Sequence, residues 1–230
     1  MDNRFRGLGV ALVTPFRSNG GIDYAGLEKL IEHQITGGVD YVVSMGTTGE
    51  SVTLTKEEKK QLLATTVELV RNRVPVVLGV GGNNTAEVID SLNSFEMDGV
   101  DGILSVSPYY NKPTQEGIYQ HFKAIAQASL RPIILYNVPG RTGSNMSAET
   151  TVRLAKDFRN VVAIKEASGN LDQMGMILKH KPKDFMLISG DDTLTLPTIA
   201  IGGVGVISEI GNALPAETSS LVHAALKGDL

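Results

Sequence analysis

Short apolar runs of strand length alternate with longer runs of helical periodicity along the whole chain, and this alternation restricts the fold more than any single motif does. The strand-like runs are 8–13, 41–45, 76–80, 102–106, 132–137, 161–165, 185–189 and 204–207. They are mostly aliphatic with little polar relief, as in strands buried on both faces. Between them apolar residues recur at helical spacing, as Leu27, Leu30, Ile31 and Ile35 do in the first segment. Asp23 is expected to cap that helix and Gly37-Gly38 to end it. Thr55 and Glu58 have the spacing of a capping box for the second, which bears Leu63, Val67 and Val70. Further helices are expected at 84–97, 114–128, 147–157, 171–179, 192–200 and 215–230. Such alternation implies parallel strands with helical crossovers, and eight units of roughly 29 residues imply a closed (β/α)8 TIM barrel. A doubly wound open sheet is the alternative on pattern alone. No linker or compositional break divides the 230 residues, so one domain, 1–230, is expected.

Composition narrows function by exclusion. A formal net charge of −4 and a pI near 5.6 give no support to nucleic-acid or membrane binding through bulk electrostatics. The basic stretches at 179–183 and 56–60 are short and read as solvated faces. The absence of cysteine removes disulfides, thiol nucleophiles and cysteine-ligated zinc. No apolar leader follows Met1-Asp2-Asn3-Arg4-Phe5-Arg6, and no run approaches the ~20 apolar residues of a membrane span, so a cytoplasmic protein is expected. His33, His121, His180 and His223 fall in or beside helices rather than at strand ends. Asp191-Asp192 reads better as a helix cap than as a cation cage, so no metal or other cofactor is expected. Gly81-Gly82 lacks dinucleotide or P-loop spacing, and the strand ends offer no serine–histidine–carboxylate set.

In a parallel barrel the reactive groups come from the C-terminal ends of strands and the loops that follow. The sixth run, Val161-Val162-Ala163-Ile164, ends in Lys165-Glu166. A lysine there has its stem between apolar walls; burial penalises the ammonium, so the amine can lose its proton near neutrality and attack a carbonyl. The plainer reading is a rim lysine paired with the adjacent Glu166. Tyr136 ends the neighbouring run, so a phenol and an amine can meet over the barrel mouth, and a phenol is a workable proton shuttle for imine chemistry. It is otherwise a core aromatic. Thr47-Thr48, flanked by glycines, offer hydroxyls and N–H groups suited to a small carboxylate, or form a plain tight turn. Arg141 has the fork that suits a carboxylate, or lies on the surface. Glu87 follows Asn84 by three and Glu50 follows Thr47 by three, so both also allow capping readings.

With these residues in place, the chain resembles the 4-hydroxy-tetrahydrodipicolinate synthase (dihydrodipicolinate synthase) family, class I pyruvate-dependent lyases of the N-acetylneuraminate lyase superfamily. The resemblance runs from about Leu8 to the C-terminus. It is carried by G-T-T-G-E at 46–50, S-P-Y-Y-N-K-P at 107–113, Y-N-V-P-G-R-T at 136–142, I-K-E-A at 164–167, S-G-D-D at 189–192 and G-V-I-S at 205–208. Each motif alone is weak; together, in order and at strand ends, they are specific. The resemblance implies a Schiff base between Lys165 and pyruvate, whose enamine attacks L-aspartate 4-semialdehyde in lysine and diaminopimelate biosynthesis. It implies a proton relay of Tyr136 and Thr47, completed by Tyr110 from a neighbouring subunit of a homo-oligomer, a dimer or a dimer of dimers (homotetramer). Thr48 with Thr47 would hold the pyruvate carboxylate and Arg141 that of the semialdehyde, while Gly190 and Ile207 would line the site through their backbone.

Two features depart from the family pattern. The chain ends at Leu230 without the family's further C-terminal helical segment, and Glu209 stands where members usually carry a small or apolar residue. The resemblance also implies an allosteric lysine site at Ser51, Asn83, Glu87 and Tyr109. Lys56 and Lys59 occupy positions where some bacterial members carry histidine, and two added ammonium groups disfavour a cationic effector, so weak or absent lysine inhibition is expected. Rival functions are a sialate lyase or 2-keto-3-deoxy sugar acid aldolase, sharing Lys165 and Tyr136, and a non-catalytic keto-acid-binding barrel. Thr48 after Thr47, together with Arg141, favours the synthase.

Overall fold

The structure, a computed structural model, describes residues 4–229. Met1-Asp2-Asn3, part of the leader reading, and Leu230, the end of the last expected helix, lie outside them. The eight expected strands are β1 (Gly7–Ala11), β2 (Tyr41–Ser44), β3 (Val76–Gly79), β4 (Gly102–Val106), β5 (Ile133–Asn137), β6 (Val161–Glu166), β7 (Met186–Ser189) and β8 (Gly205–Ser208). They close in sequence order, and β1 pairs in parallel with both β2 and β8. This is the (β/α)8 barrel, not the open sheet. The outer layer comprises α1 (Tyr24–Thr36), α2 (Lys56–Val70), α3 (Thr85–Ser94), α4 (Gln115–Ala128), α5 (Pro139–Thr142), α6 (Ala148–Asp157), α7 (Leu171–His180), α8 (Thr195–Ala200) and α9 (Pro215–Lys227). The unexpected α5 is a single turn led by Pro139 in the loop after β5, too short to show a helical period.

The caps divide into those that hold and those that do not. Glu58 N–H donates to Thr55 Oγ1 (3.2 Å) and Thr55 N–H to Glu58 Oε2 (2.8 Å), completing the capping box of α2. Asn84, Thr114 and Ser147 accept first-turn N–H bonds of α3, α4 and α6. Asp23 makes no such bond for α1; its Oδ1 instead lies 3.9 Å from Arg17 Nε, across the hairpin-like turn in which Phe16 bridges Ile22. Gly37 stays right-handed (φ −72°), and Gly38 takes the left-handed conformation (φ +80°) that ends α1. Asp191, not Asp192, caps the 3₁₀ turn Asp192–Leu194 that precedes α8.

Strand parity sorts the core into two layers. Tyr41, Val43, Val77, Leu104, Ile134, Tyr136, Ala163, Ile188 and Ile207 fill the barrel interior with Phe5, whose ring meets Tyr41 edge-on at 5.8 Å. Val42, Leu78, Ile103, Ile133, Leu135, Ile164 and Leu187 face outward and pack against the helices. Period-2 alternation therefore assigns Tyr136 and Lys165 to the inner face and their sequence neighbours Asn137 and Glu166 to the outer layer.

The floor of the barrel is closed by satisfied polar contacts. Asp40 Oδ2 accepts from Leu8 N–H (2.7 Å) and contacts His223 Nε2 (2.8 Å), tying α9 to the start of β1. Asp101 Oδ2 does the same for Val76 N–H of β3 (2.9 Å).

Candidate active site

The loops at the opposite, C-terminal end of the barrel hold several residues in left-handed backbone. Met45, Glu50, Tyr110 and Lys112 all hold positive φ, in the loops after β2 and β4. Gly79 at the end of β3 permits the first of these turns, because a Cβ there would collide with the Met45 carbonyl. Thr14, beyond β1, donates from Oγ1 to Gly49 O (2.6 Å) and so fixes the Thr47-Thr48 turn from beneath. The Thr47 side of this turn is exposed and Thr48 is half-buried. Glu50 makes no side-chain capping bond, and the part of Glu87 in a cap is only to donate its N–H to Asn84 Oδ1.

Lys165 sits on the inner face of β6, 2% exposed, in register with Tyr136 of β5 on one side and Ile188 of β7 on the other. Its Nζ lies 4.5 Å from the centroid of the Tyr136 ring. Gly190, expected to line the site through its backbone, has a more specific place: a Cβ there would stand 3.0 Å from both Cγ and Cε of Lys165, so glycine makes room for the lysine stem. Burial lowers the Lys165 pKa from 10.5 to about 8; Glu209 and Asp192 oppose the drop and Arg141 adds to it. The amine is therefore partly neutral at physiological pH, as a nucleophile toward a carbonyl must be.

Tyr136 is 3% exposed, and burial followed by the Glu209 charge raises its phenol above the usual range. The charge of Arg141, with the polar groups of Thr47 and Arg141 beside the phenol, moderates the rise. Phenol, threonine, arginine and amine thus converge over the mouth, although they come from two loops and two strands. Ile207 closes the wall beside them, 1% exposed in the inner cluster. Tyr110 stands apart, 88% exposed with φ +72°. Ser51, Asn83, Glu87 and Tyr109 lie in the loops or first helical turn after β2, β3 and β4, which are neighbours in the barrel.

Three polar residues near this end are absent from the expected site. Glu166 is not the rim partner of Lys165: it points to the outer layer, 0% exposed, and accepts from Asn137, Ser168 and Gln173. Strand parity was the signal that separates the two. Asp192 Oδ2 accepts from the N–H groups of Glu209 (3.0 Å) and Ile210 (2.9 Å), anchoring the loop after β8, while its Oδ1 is buried without a hydrogen bond. No sequence signal distinguishes that role from a cap. Thr14 is likewise a loop anchor that only the fold reveals.

Residues 4–230 match the model of the dihydrodipicolinate synthetase family. A 4-hydroxy-tetrahydrodipicolinate synthase from Parabacteroides distasonis is 57% identical over 228 residues, covering 99% of this chain and 77% of that protein. Among solved structures, a dihydrodipicolinate synthase from Acinetobacter baumannii, complexed with pyruvate, superposes with a TM-score of 0.94 at 42% identity, over 97% of this chain and 77% of that one. One from Cyanidioschyzon merolae with lysine bound superposes with a TM-score of 0.92 at 44% identity, over 96% and 75%. With a buried amine facing a phenol at the mouth of an eight-stranded barrel, and with this breadth of similarity, the chain belongs to the dihydrodipicolinate synthetase family.

Proposed function

We infer that this chain is a lyase of the class I aldolase type that condenses pyruvate with L-aspartate 4-semialdehyde to 4-hydroxy-tetrahydrodipicolinate. The observation that carries this reading is the Lys165 amine, buried, brought to a pKa of about 8 and held over the Tyr136 ring. The amine attacks C2 of pyruvate; the carbinolamine loses water to give an imine, and loss of a C3 proton gives the enamine. The enamine carbon adds to the aldehyde carbon of the semialdehyde. Its amino group then attacks the imine carbon, closing the ring and releasing the Lys165 amine; the balance is one water lost.

Tyr136 is assigned the proton transfers at the carbinolamine and at the new alkoxide, with Thr47 as the next member of the relay. Tyr110 completes it from a second copy of the chain; its exposure in a single copy supports that assignment. Thr48 and Thr47 take the pyruvate carboxylate and Arg141 the semialdehyde carboxylate. Gly190 and Ile207 shape the wall. Reduction with borohydride in the presence of pyruvate tests the reading: a mass adduct on the Lys165 peptide is expected, and its absence leaves a binding barrel. Turnover with L-aspartate 4-semialdehyde, and none with a sugar acid, separates the synthase from the sugar-acid aldolases.

Ser51, Asn83, Glu87 and Tyr109 are assigned to a lysine-binding site, after the lysine-bound relative. Lys56 and Lys59 add two positive charges at the start of α2. Inhibition by lysine is expected to be weak, and half-inhibition at micromolar lysine in a steady-state assay refutes it.

A further inference from the structure

Glu166 is a buried ionisable group for which the imine chemistry has no use, yet four contacts converge on it. Its Oε1 accepts from Asn137 Nδ2 (3.0 Å) and Ser168 N–H (2.8 Å), and its Oε2 from Asn137 Nδ2 (3.1 Å) and Gln173 Nε2 (3.0 Å). Asn137 Nδ2 also reaches Asn145 Oδ1 (2.8 Å), and Asn137 Oδ1 accepts from Met146 N–H (2.9 Å). Asn137 ends β5, and Asn145-Met146 lead into α6. One side-chain amide therefore staples together the two ends of segment 138–145. Asn145 Nδ2 donates to Gln173 Oε1 (2.8 Å), which fastens the same staple to the first turn of α7. Within the segment, Thr142 Oγ1 donates to Ser144 O (2.7 Å), and α5 presents Arg141 toward the Tyr136 phenol.

The sense of the staple depends on a charge. The two sides of an asparagine amide are nearly identical in shape and differ in whether they donate or accept. A carboxylate only accepts, so it turns Nδ2 toward itself and leaves Oδ1 for Met146. A neutral glutamine at 166 can face either side, and a flipped Asn137 would abandon the Met146 N–H.

We propose that Glu166 is a positioning residue for the second substrate: by fixing the Asn137 amide it holds segment 138–145 so that Arg141 stands ready for the carboxylate of the aldehyde. This rests on the aldol reading above. Imine formation with pyruvate is carried by the inner faces of β5 and β6 and by the loop after β2, and none of the staple's hydrogen bonds reaches Lys165, Tyr136 or Thr47. A purely structural role would change both half-reactions alike; a positioning role separates them.

The test is steady-state kinetics of Glu166→Gln, with pyruvate–borohydride trapping of Lys165 alongside. The KM for L-aspartate 4-semialdehyde is expected to rise about tenfold or more, with pyruvate KM within about twofold and trapping intact. Glu166→Asp, which restores the charge, should recover part of the loss. Equal changes in both KM values, no change in either, or loss of trapping overturns the proposal. If Glu166→Gln does not fold by circular dichroism, Asn145→Ala decides, since it cuts the same staple at its exposed end. The same split, of about severalfold, is then expected, and its absence is decisive against the proposal. A wild-type chain that fails to trap pyruvate refutes the aldol reading instead.

Discussion

Lys165 and Glu166 are consecutive on β6, equally withdrawn from solvent, and treated by the fold in opposite ways. Glu166 looks outward into the layer between barrel and helices and is surrounded by donors. Lys165 looks inward and, among the described residues, has no hydrogen bond or ion pair; it has the face of Tyr136 and the fields of Glu209, Asp192 and Arg141. Burial works against both charges and raises the Glu166 pKa, but donors from Ser168, Asn137 and Gln173 offset it there, whereas one residue earlier the amine has no such partner. The comparison teaches how one strand handles two buried charges: partners are withheld from the amine, and supplied next door.

Exchanging the two treatments should break the molecule in two different ways. Lys165→Met keeps the apolar stem and removes the amine, so turnover should fall roughly 10⁴-fold or more and the borohydride adduct should vanish. The same change should stabilise the fold. The folded pKa of about 8 lies below the ordinary 10.5, so at neutral pH the buried ammonium costs about 3 kcal/mol. That cost is fully present below pH 8 and fades as pH rises from 8 to 10.5, where the folded state sheds its proton first. Chemical denaturation at pH 7 should therefore show Lys165→Met more stable than wild type by up to about 3 kcal/mol. A variant both inactive and destabilised would contradict the withheld-partner account. Glu166→Ala is the mirror case. It orphans the Ser168 N–H and the Asn137 and Gln173 amides in a dry layer, and a loss of about 3 kcal/mol is expected in the same titration. A loss under about 1 kcal/mol would mean that water enters and replaces the carboxylate.

Much of this contrast was legible before the structure, and the part that was not has a physical reason. The alternation of apolar runs specifies parallel strands covered on both faces, and eight such units in a chain of this length favour the closed barrel over an open sheet. That Lys165, Tyr136 and the threonine pair gather at the barrel mouth was readable because all of them lie at or just beyond strand ends. The plainer alternative, Lys165 paired with Glu166, is not formed, and parity on a six-residue strand argues against it. Asp192 and Thr14 were not readable. Each acts on a loop distant in sequence, Asp192 on Glu209 and Ile210, Thr14 on Gly49, and such contacts are decided by closure of the ring rather than by local pattern. Asp23 failed as a cap for a similar reason, since a neighbouring guanidinium competes for its carboxylate.

The contrast sharpens with pH. If the inner-face amine is the group whose protonation limits imine formation, kcat/KM for pyruvate should rise about tenfold per unit below pH 8 and level off above it. In Glu166→Gln the inner face is unaltered, so the inflection should stay within about half a unit of its wild-type position. A flat profile from pH 6 to 9 would show that proton loss from Lys165 does not gate the reaction.

The smallest effect is expected at Glu209, and its sign is the useful part. Glu209 follows β8 at the mouth, where its backbone N–H is held by Asp192. Its charge raises the Lys165 pKa and raises that of Tyr136 as well. Both actions oppose catalysis at neutral pH, one by keeping the amine protonated and the other by making the phenol a weaker acid. Glu209→Gln removes the charge and keeps the shape. The acid limb of the pyruvate profile should then move to lower pH by less than about one unit, because Glu209 is exposed and its field is screened by solvent. Activity should rise severalfold at pH 7 and stay unchanged at pH 9, where the amine is already neutral. Added salt should shrink the difference between Glu209→Gln and wild type, and should leave that between Glu166→Gln and wild type intact, since the latter rests on short buried hydrogen bonds. A fall in activity at pH 7 would instead assign Glu209 a direct contact with substrate, and the inner face would then resemble the outer one in being built from partners after all.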